Sequence, residues 1–127
     1  MGFEISGKIH AINDAQQITE RFRKREFVLE LAENARYWRA GLTAAGFTLL
    51  PGEHPIIPVM LGDANLAQAM AADLNARGVH VAPFFFPVVP KGAARIRTQM
   101  NAALTRRDLD FALDAFTAAG TATGVLE

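Results

Sequence analysis

The strongest constraint on the fold of this chain is its punctuation after residue 34. Trp38, Leu42 and Ala45 stand at helical spacing, predicting a helix over 35–45 that Gly46 closes. Leu66, Met70 and Leu74 repeat every four residues behind Asp63, a good N-cap, and Gly78 ends that run. Thr105, with Asp108 three residues on, has the pattern of a capping box. It opens a last helix to Ala119, followed by Gly120. Between these helices a strand-like 47–50 leads through Pro51-Gly52-Glu53-His54-Pro55 into a buried strand over 56–61. Further strands are expected over 79–86 and 94–100. The order α-β-α-β-β-α predicts an α+β domain, an antiparallel or mixed sheet with helices on one face.

Ahead of that domain the style differs. Residues 3–12 and 24–31 read as strands, because Phe3, Ile5, Ile9 and Ala11 share one parity, as do Phe27, Leu29 and Leu31. The polar link 13–23 is too long for a tight hairpin turn. Two strands alone bury too little to be stable, so such an arm docks on something or stays loose. The expected division is a β arm over 1–34 and an α+β domain over 35–127.

Composition removes several function classes. The 127 residues carry 13 basic and 13 acidic side chains, so no global charge steers the chain to nucleic acid or an anionic membrane. Without cysteine there is no disulfide framework, thiolate nucleophile or cysteine zinc site. The start has no apolar signal-peptide core, and no run of about 18 apolar residues could span a bilayer. A soluble, cytoplasmic protein with no membrane partner is the plain expectation.

Few residues are placed to do chemistry. Alternation along 94–100 puts Arg95, Arg97 and Gln99 on one face and Ile96, Thr98 and Met100 on the other. An arginine fixed on a strand presents a planar fork for a carboxylate, and Arg97 is the best single candidate. The loop Phe86-Pro87-Val88-Val89-Pro90-Lys91-Gly92 is restricted by its prolines and bends at its glycine, as a connecting loop or a lid would. His54 has no second histidine at ligand spacing, since His10 and His80 are far away, so it reads as structural and no metal site is expected. Asp108, Asp110 and Asp114 read as the wet face of the last helix. No residue of the chain is expected to be catalytic. Arg21-Phe22-Arg23-Lys24-Arg25 is a basic run with an aromatic, flanked by Glu20 and Glu26. It reads as a solvated edge-strand cluster, or alternatively as a small nucleic-acid- or protein-binding module.

Two segments carry a resemblance. Gly52-Glu53-His54-Pro55-Ile56-Ile57-Pro58-Val59-Met60-Leu61 and Phe85-Phe86-Pro87-Val88-Val89-Pro90-Lys91-Gly92-Ala93-Ala94-Arg95-Ile96-Arg97-Thr98-Gln99-Met100 are similar to the α-oxoamine synthases. Within that family they resemble the 2-amino-3-ketobutyrate CoA ligase branch, also called glycine C-acetyltransferase. The resemblance covers 35–127 and implies the C-terminal small domain of a fold-type I enzyme dependent on pyridoxal phosphate. That enzyme joins glycine and acetyl-CoA into 2-amino-3-ketobutyrate, or cleaves it in threonine catabolism. It further implies that Arg97, the second arginine of Arg-Ile-Arg, holds the substrate carboxylate, and that the loop 86–92 lies over the active site near the acyl-CoA. One departure stands out. The family has Ala-Ala-His-Thr where this chain has Ala102-Ala103-Leu104-Thr105.

The lysines complete the expectation. Only Lys8, Lys24 and Lys91 are present, none with the surroundings of the family's cofactor lysine. The resemblance therefore implies a fragment that binds no cofactor alone and is inactive alone, with a large-domain partner or self-association through exposed apolar surface. Residues 1–33, through Glu4-Ile5-Ser6-Gly7-Lys8 and Phe22-Arg23-Lys24-Arg25-Glu26-Phe27-Val28-Leu29-Glu30, resemble the start of a small bacterial β-barrel family related to oligonucleotide-binding folds.

Overall fold

The computed structural model describes the backbone of residues 7–126 and the side chains of residues 19–126. It consists of α1 (Gly7–Ala45), β1 (Thr48–Leu49), β2 (Ile56–Gly62), α2 (Ala64–Ala76), β3 (Ala82–Phe84), β4 (Ala94–Gln99) and α3 (Arg106–Thr123). The four strands form one sheet in the order β1-β2-β4-β3, and every neighbouring pair is antiparallel. The expected α+β class holds, and the sheet is antiparallel rather than mixed.

Register decides which residues meet the helices. Ile57 lies opposite Thr98 and Val59 opposite Ile96, and all four are buried. Trp38 and Leu42 of α1, Met70 and Leu74 of α2, and Leu109 and Phe116 of α3 cover that face. Phe116 receives the edges of Trp38 and Phe47, with ring centroids 5.3 and 6.0 Å away. All three helices pack on this side, which leaves the opposite face of the sheet open.

The caps behave as the letters predict. The Asp63 carboxylate accepts from Leu66 N–H at 3.1 Å, and Thr105 and Asp108 form a reciprocal capping box. The last helix runs past its expected stop to a left-handed Gly124. Gly120 serves close packing instead, since a Cβ there would stand 2.8 Å from the Phe47 ring.

The N-terminal strands are the main correction. Residues 24–31, and the part of 3–12 from residue 7 on, lie in α1; residues 3–6 fall outside the described residues. The reason is local. No glycine or proline occurs between Lys8 and Ala40, and the stretch is rich in alanine, glutamate, arginine and leucine. Once Trp38 and Leu42 anchor a helix on the core, adding turns costs far less than starting new structure. A helix also satisfies its own backbone, which a lone two-stranded arm cannot do. The parity of Phe27 and Leu29 puts nothing in a core, because both remain more than half exposed.

Candidate functional site

The open face of the sheet carries the candidate arginine. Pro58, Arg97 and Ala82 form one cross-strand row; Met60, Arg95 and Phe84 form the next. The small neighbours leave the Arg97 side chain exposed, and its guanidinium carbon sits 5.0 Å from the Phe84 ring centroid on the diagonal. Arg95 is half-buried, and its Nε donates to the Ala93 carbonyl at 3.1 Å, so it braces the strand entrance.

Arg97 is held from behind. Thr98 faces the core, where its hydroxyl accepts from Trp38 Nε1 at 2.9 Å and donates to the Ile57 carbonyl at 2.6 Å. The chain Trp38–Thr98–Ile57 ties α1, β4 and β2 at the level of Arg97. Farther along, Asn34 of α1 donates to the carbonyls of Asn101 and Leu104, fixing the exit of β4. Sequence reasoning missed both braces. The signal was Thr98 itself, a hydroxyl on the apolar parity of an otherwise buried strand face.

The loop over residues 86–92 links the end of β3 to the start of β4, beside Arg95. Val88 and Val89 N–H both reach the Phe85 carbonyl, and the Phe86–Pro87 peptide bond is cis. Phe86 and Val88 are 53% and 72% exposed, and the Lys91 ammonium lies 4.9 Å over the Phe86 ring. Pro87, Val89, Pro90 and Gly92 complete an apolar flap with one cation. His54 is used locally: its Nδ1 accepts from Ile56 N–H at 3.1 Å and its carbonyl receives Arg39.

On the helical side, the Asp110 carboxylate accepts from the Tyr37 hydroxyl, and Arg106 stacks 3.7 Å over the Tyr37 ring. The hydrogen bond to Asp110 raises the phenol above its ordinary value, against the opposing Arg106. Asp110 is thus a clamp between α1 and α3 and not merely wet. Backbone and side-chain hydrogen bonds from Thr105 lower the Asp108 carboxyl below its ordinary range.

Among the described residues no pyridoxal phosphate site is assembled. Lys24 stands exposed on α1, and Lys91 is stacked on Phe86 in an exposed loop. Asp63, which shares a shallow cleft with Lys91, already caps α2. The described residues offer no lysine and acid placed to take the cofactor's two ends, nor any group of three metal-ligating side chains. No described helix is long and apolar enough to cross a membrane.

Comparison with known proteins fits this geometry. The profile of the family Aminotransferase class I and II matches residues 8–116, running through the expected join at 34. The chain belongs to that family. The 2-amino-3-ketobutyrate coenzyme A ligase of Salmonella typhimurium is 56% identical over 93 residues, 73% of this chain and 23% of that protein. The mitochondrial human protein of the same name is 46% identical over 99 residues, 78% of this chain and 24% of its own length. Among solved structures, serine palmitoyltransferase from S. paucimobilis with a bound PLP–myriocin adduct superposes with a TM-score of 0.77 at 33% identity. That superposition covers 81% of this chain and 26% of that one. This chain therefore spans about a quarter of the length of the curated relatives it matches.

Proposed function

We propose that residues 35–127 are the small C-terminal domain of a glycine C-acetyltransferase, an acyltransferase dependent on pyridoxal phosphate that joins glycine to acetyl-CoA in threonine catabolism. The observation that carries this reading is Arg97: exposed on the open sheet face, braced from behind by Thr98, and sited within a segment similar to the ligases. In this reading its fork binds the glycine carboxylate, with Phe84 walling one side. The loop 86–92 lies over the bound substrate and limits water. The cofactor supplies the sink for electrons when bound, and residues beyond those described here hold it. Alone, the chain takes up no pyridoxal phosphate and turns over nothing. The second reading, a small nucleic-acid- or protein-binding module through the N-terminal β arm, gains no support: the basic run Arg21 to Arg25 lies on α1, and among the described residues no strand pairs with it.

A chimaera tests the proposal. Residues 35–127 replace the matching segment of the Salmonella ligase, and glycine-dependent release of the CoA thiol is measured. Activity is expected, and Arg97→Gln should lower kcat/KM for glycine about 100-fold, near 3 kcal/mol for a charge-assisted carboxylate contact. A chimaera that takes up the cofactor yet stays inactive, or an Arg97→Gln chimaera of unchanged kcat/KM, overturns the reading.

A further inference from the structure

The arginines that brace this fold spend their donors on it. Arg39 gives its terminal nitrogens to the carbonyls of Leu50 and His54, Arg77 is paired with Asp73, and Arg95 gives Nε to the Ala93 carbonyl. Arg97 does not. Its guanidinium has no hydrogen-bond or ion-pair partner among the described residues, and what it meets is the Phe84 ring, with 5.0 Å between guanidinium carbon and ring centroid.

The ladder explains this arrangement. In its own row Arg97 stands between Pro58 and Ala82, neither of which carries a side-chain acceptor. Phe84 lies opposite Arg95 in the next row, on the diagonal from Arg97. The ring is half-buried, and its backbone is fixed from both sides. Pro83 and Phe84 pair with Ile96 and Arg95, and one residue farther on the Phe85 carbonyl receives the N–H groups of Val88 and Val89. A fixed wall thus stands beside a long, exposed cation.

A ring face attracts a cation without accepting the hydrogen bonds that lie in the guanidinium plane. A carboxylate in its place would hold Arg97 more tightly, but a substrate carboxylate would then have to displace it. Stacking narrows the orientations of the fork and leaves its five N–H groups free. We propose that Phe84 is a positioning residue for carboxylate binding, presetting the Arg97 fork while leaving every donor to the substrate. The proposal rests on the assignment of Arg97 to the glycine carboxylate. Because the stack is the same in the ground and transition states, its effect falls on KM for glycine and not on kcat.

The presetting is read in the whole chain, without any activity, from the Arg97 Nε–H resonance. Its heteronuclear NOE should be that of an ordered side chain, and Phe84→Leu should lower it to that of a mobile one. Equal mobility of Arg97 in the two proteins overturns the proposal. The consequence is read in the ligase chimaera. There Phe84→Leu should raise KM for glycine roughly 4-fold at unchanged kcat, the worth of one exposed cation–π contact. A trifluorinated phenylalanine at position 84, which keeps the shape and depletes the ring face, should raise KM similarly, and Phe84→Tyr should keep the parent value. In the Arg97→Gln background Phe84→Leu should add nothing. An equal loss in both backgrounds, or an unchanged KM with the fluorinated ring, overturns the proposal while the assignment of Arg97 stands. A chimaera indifferent to Arg97→Gln overturns that assignment, and the proposal with it.

Discussion

Thr98 shows how one side chain can serve two faces of a sheet. Its hydroxyl sits among hydrocarbon, 6% exposed, and survives there because it both accepts and donates. Thr98→Val keeps the shape but strands the Trp38 N–H, while the Ile57 carbonyl keeps its backbone partner across the ladder. The expected cost is about 2 kcal/mol of unfolding free energy, read from urea titration, with helix content unchanged at low urea. The face on which Arg97 lies was legible from sequence, because alternation along β4 fixes it. Trp38 and Thr98 were not legible as a pair, since 60 residues separate them and only the packing of α1 on the sheet brings them together.

At the scale of elements, local chemistry was read well wherever it was self-contained. The caps at Asp63 and Thr105 need only their next three residues, and both helices start where those letters say. Segments whose fate depends on residues outside themselves were misread: 79–81 is held by Asn75, which bonds the Val81 carbonyl and His80, and 24–31 is absorbed into a helix anchored at Trp38. Gly120 illustrates the same limit, because the sequence cannot show that Phe47 lies against it.

The capping box of α3 has a pH signature. Asp108 titrates below its ordinary 3.8 in the folded state, so its contribution is present above that value. It is lost as pH falls through the lower folded value. The stability of Asp108→Asn should therefore fall less steeply than that of the parent below about pH 4, in thermal melts across pH 2.5–6. Parallel curves would show that the cap does not titrate.

Across the whole molecule, two antiparallel pairs, β1 with β2 and β3 with β4, meet at the central β2–β4 seam, and the helices bury one side of the result. The core draws on α1 only from about Leu31 onward, while residues 19–30 are exposed throughout. Replacing Phe22, Phe27, Val28 and Leu29 together by alanine should therefore shift the melting midpoint by less than about 4 °C, as measured by circular dichroism, because all four are more than half exposed. A larger drop would mean that the projecting turns brace the core.

That projection has a consequence for how the molecule tolerates changes in length. α1 is one unbroken helix from the core outward, so it behaves as a shaft whose angle is counted in residues. Each residue inserted between Glu20 and Glu30 advances everything before it by about 1.5 Å and turns it by about 100°. A single insertion would swing any structure carried ahead of the shaft around the domain, whereas seven would return its heading to within about 20°. Substitution in this stretch is cheap, and counting errors are not.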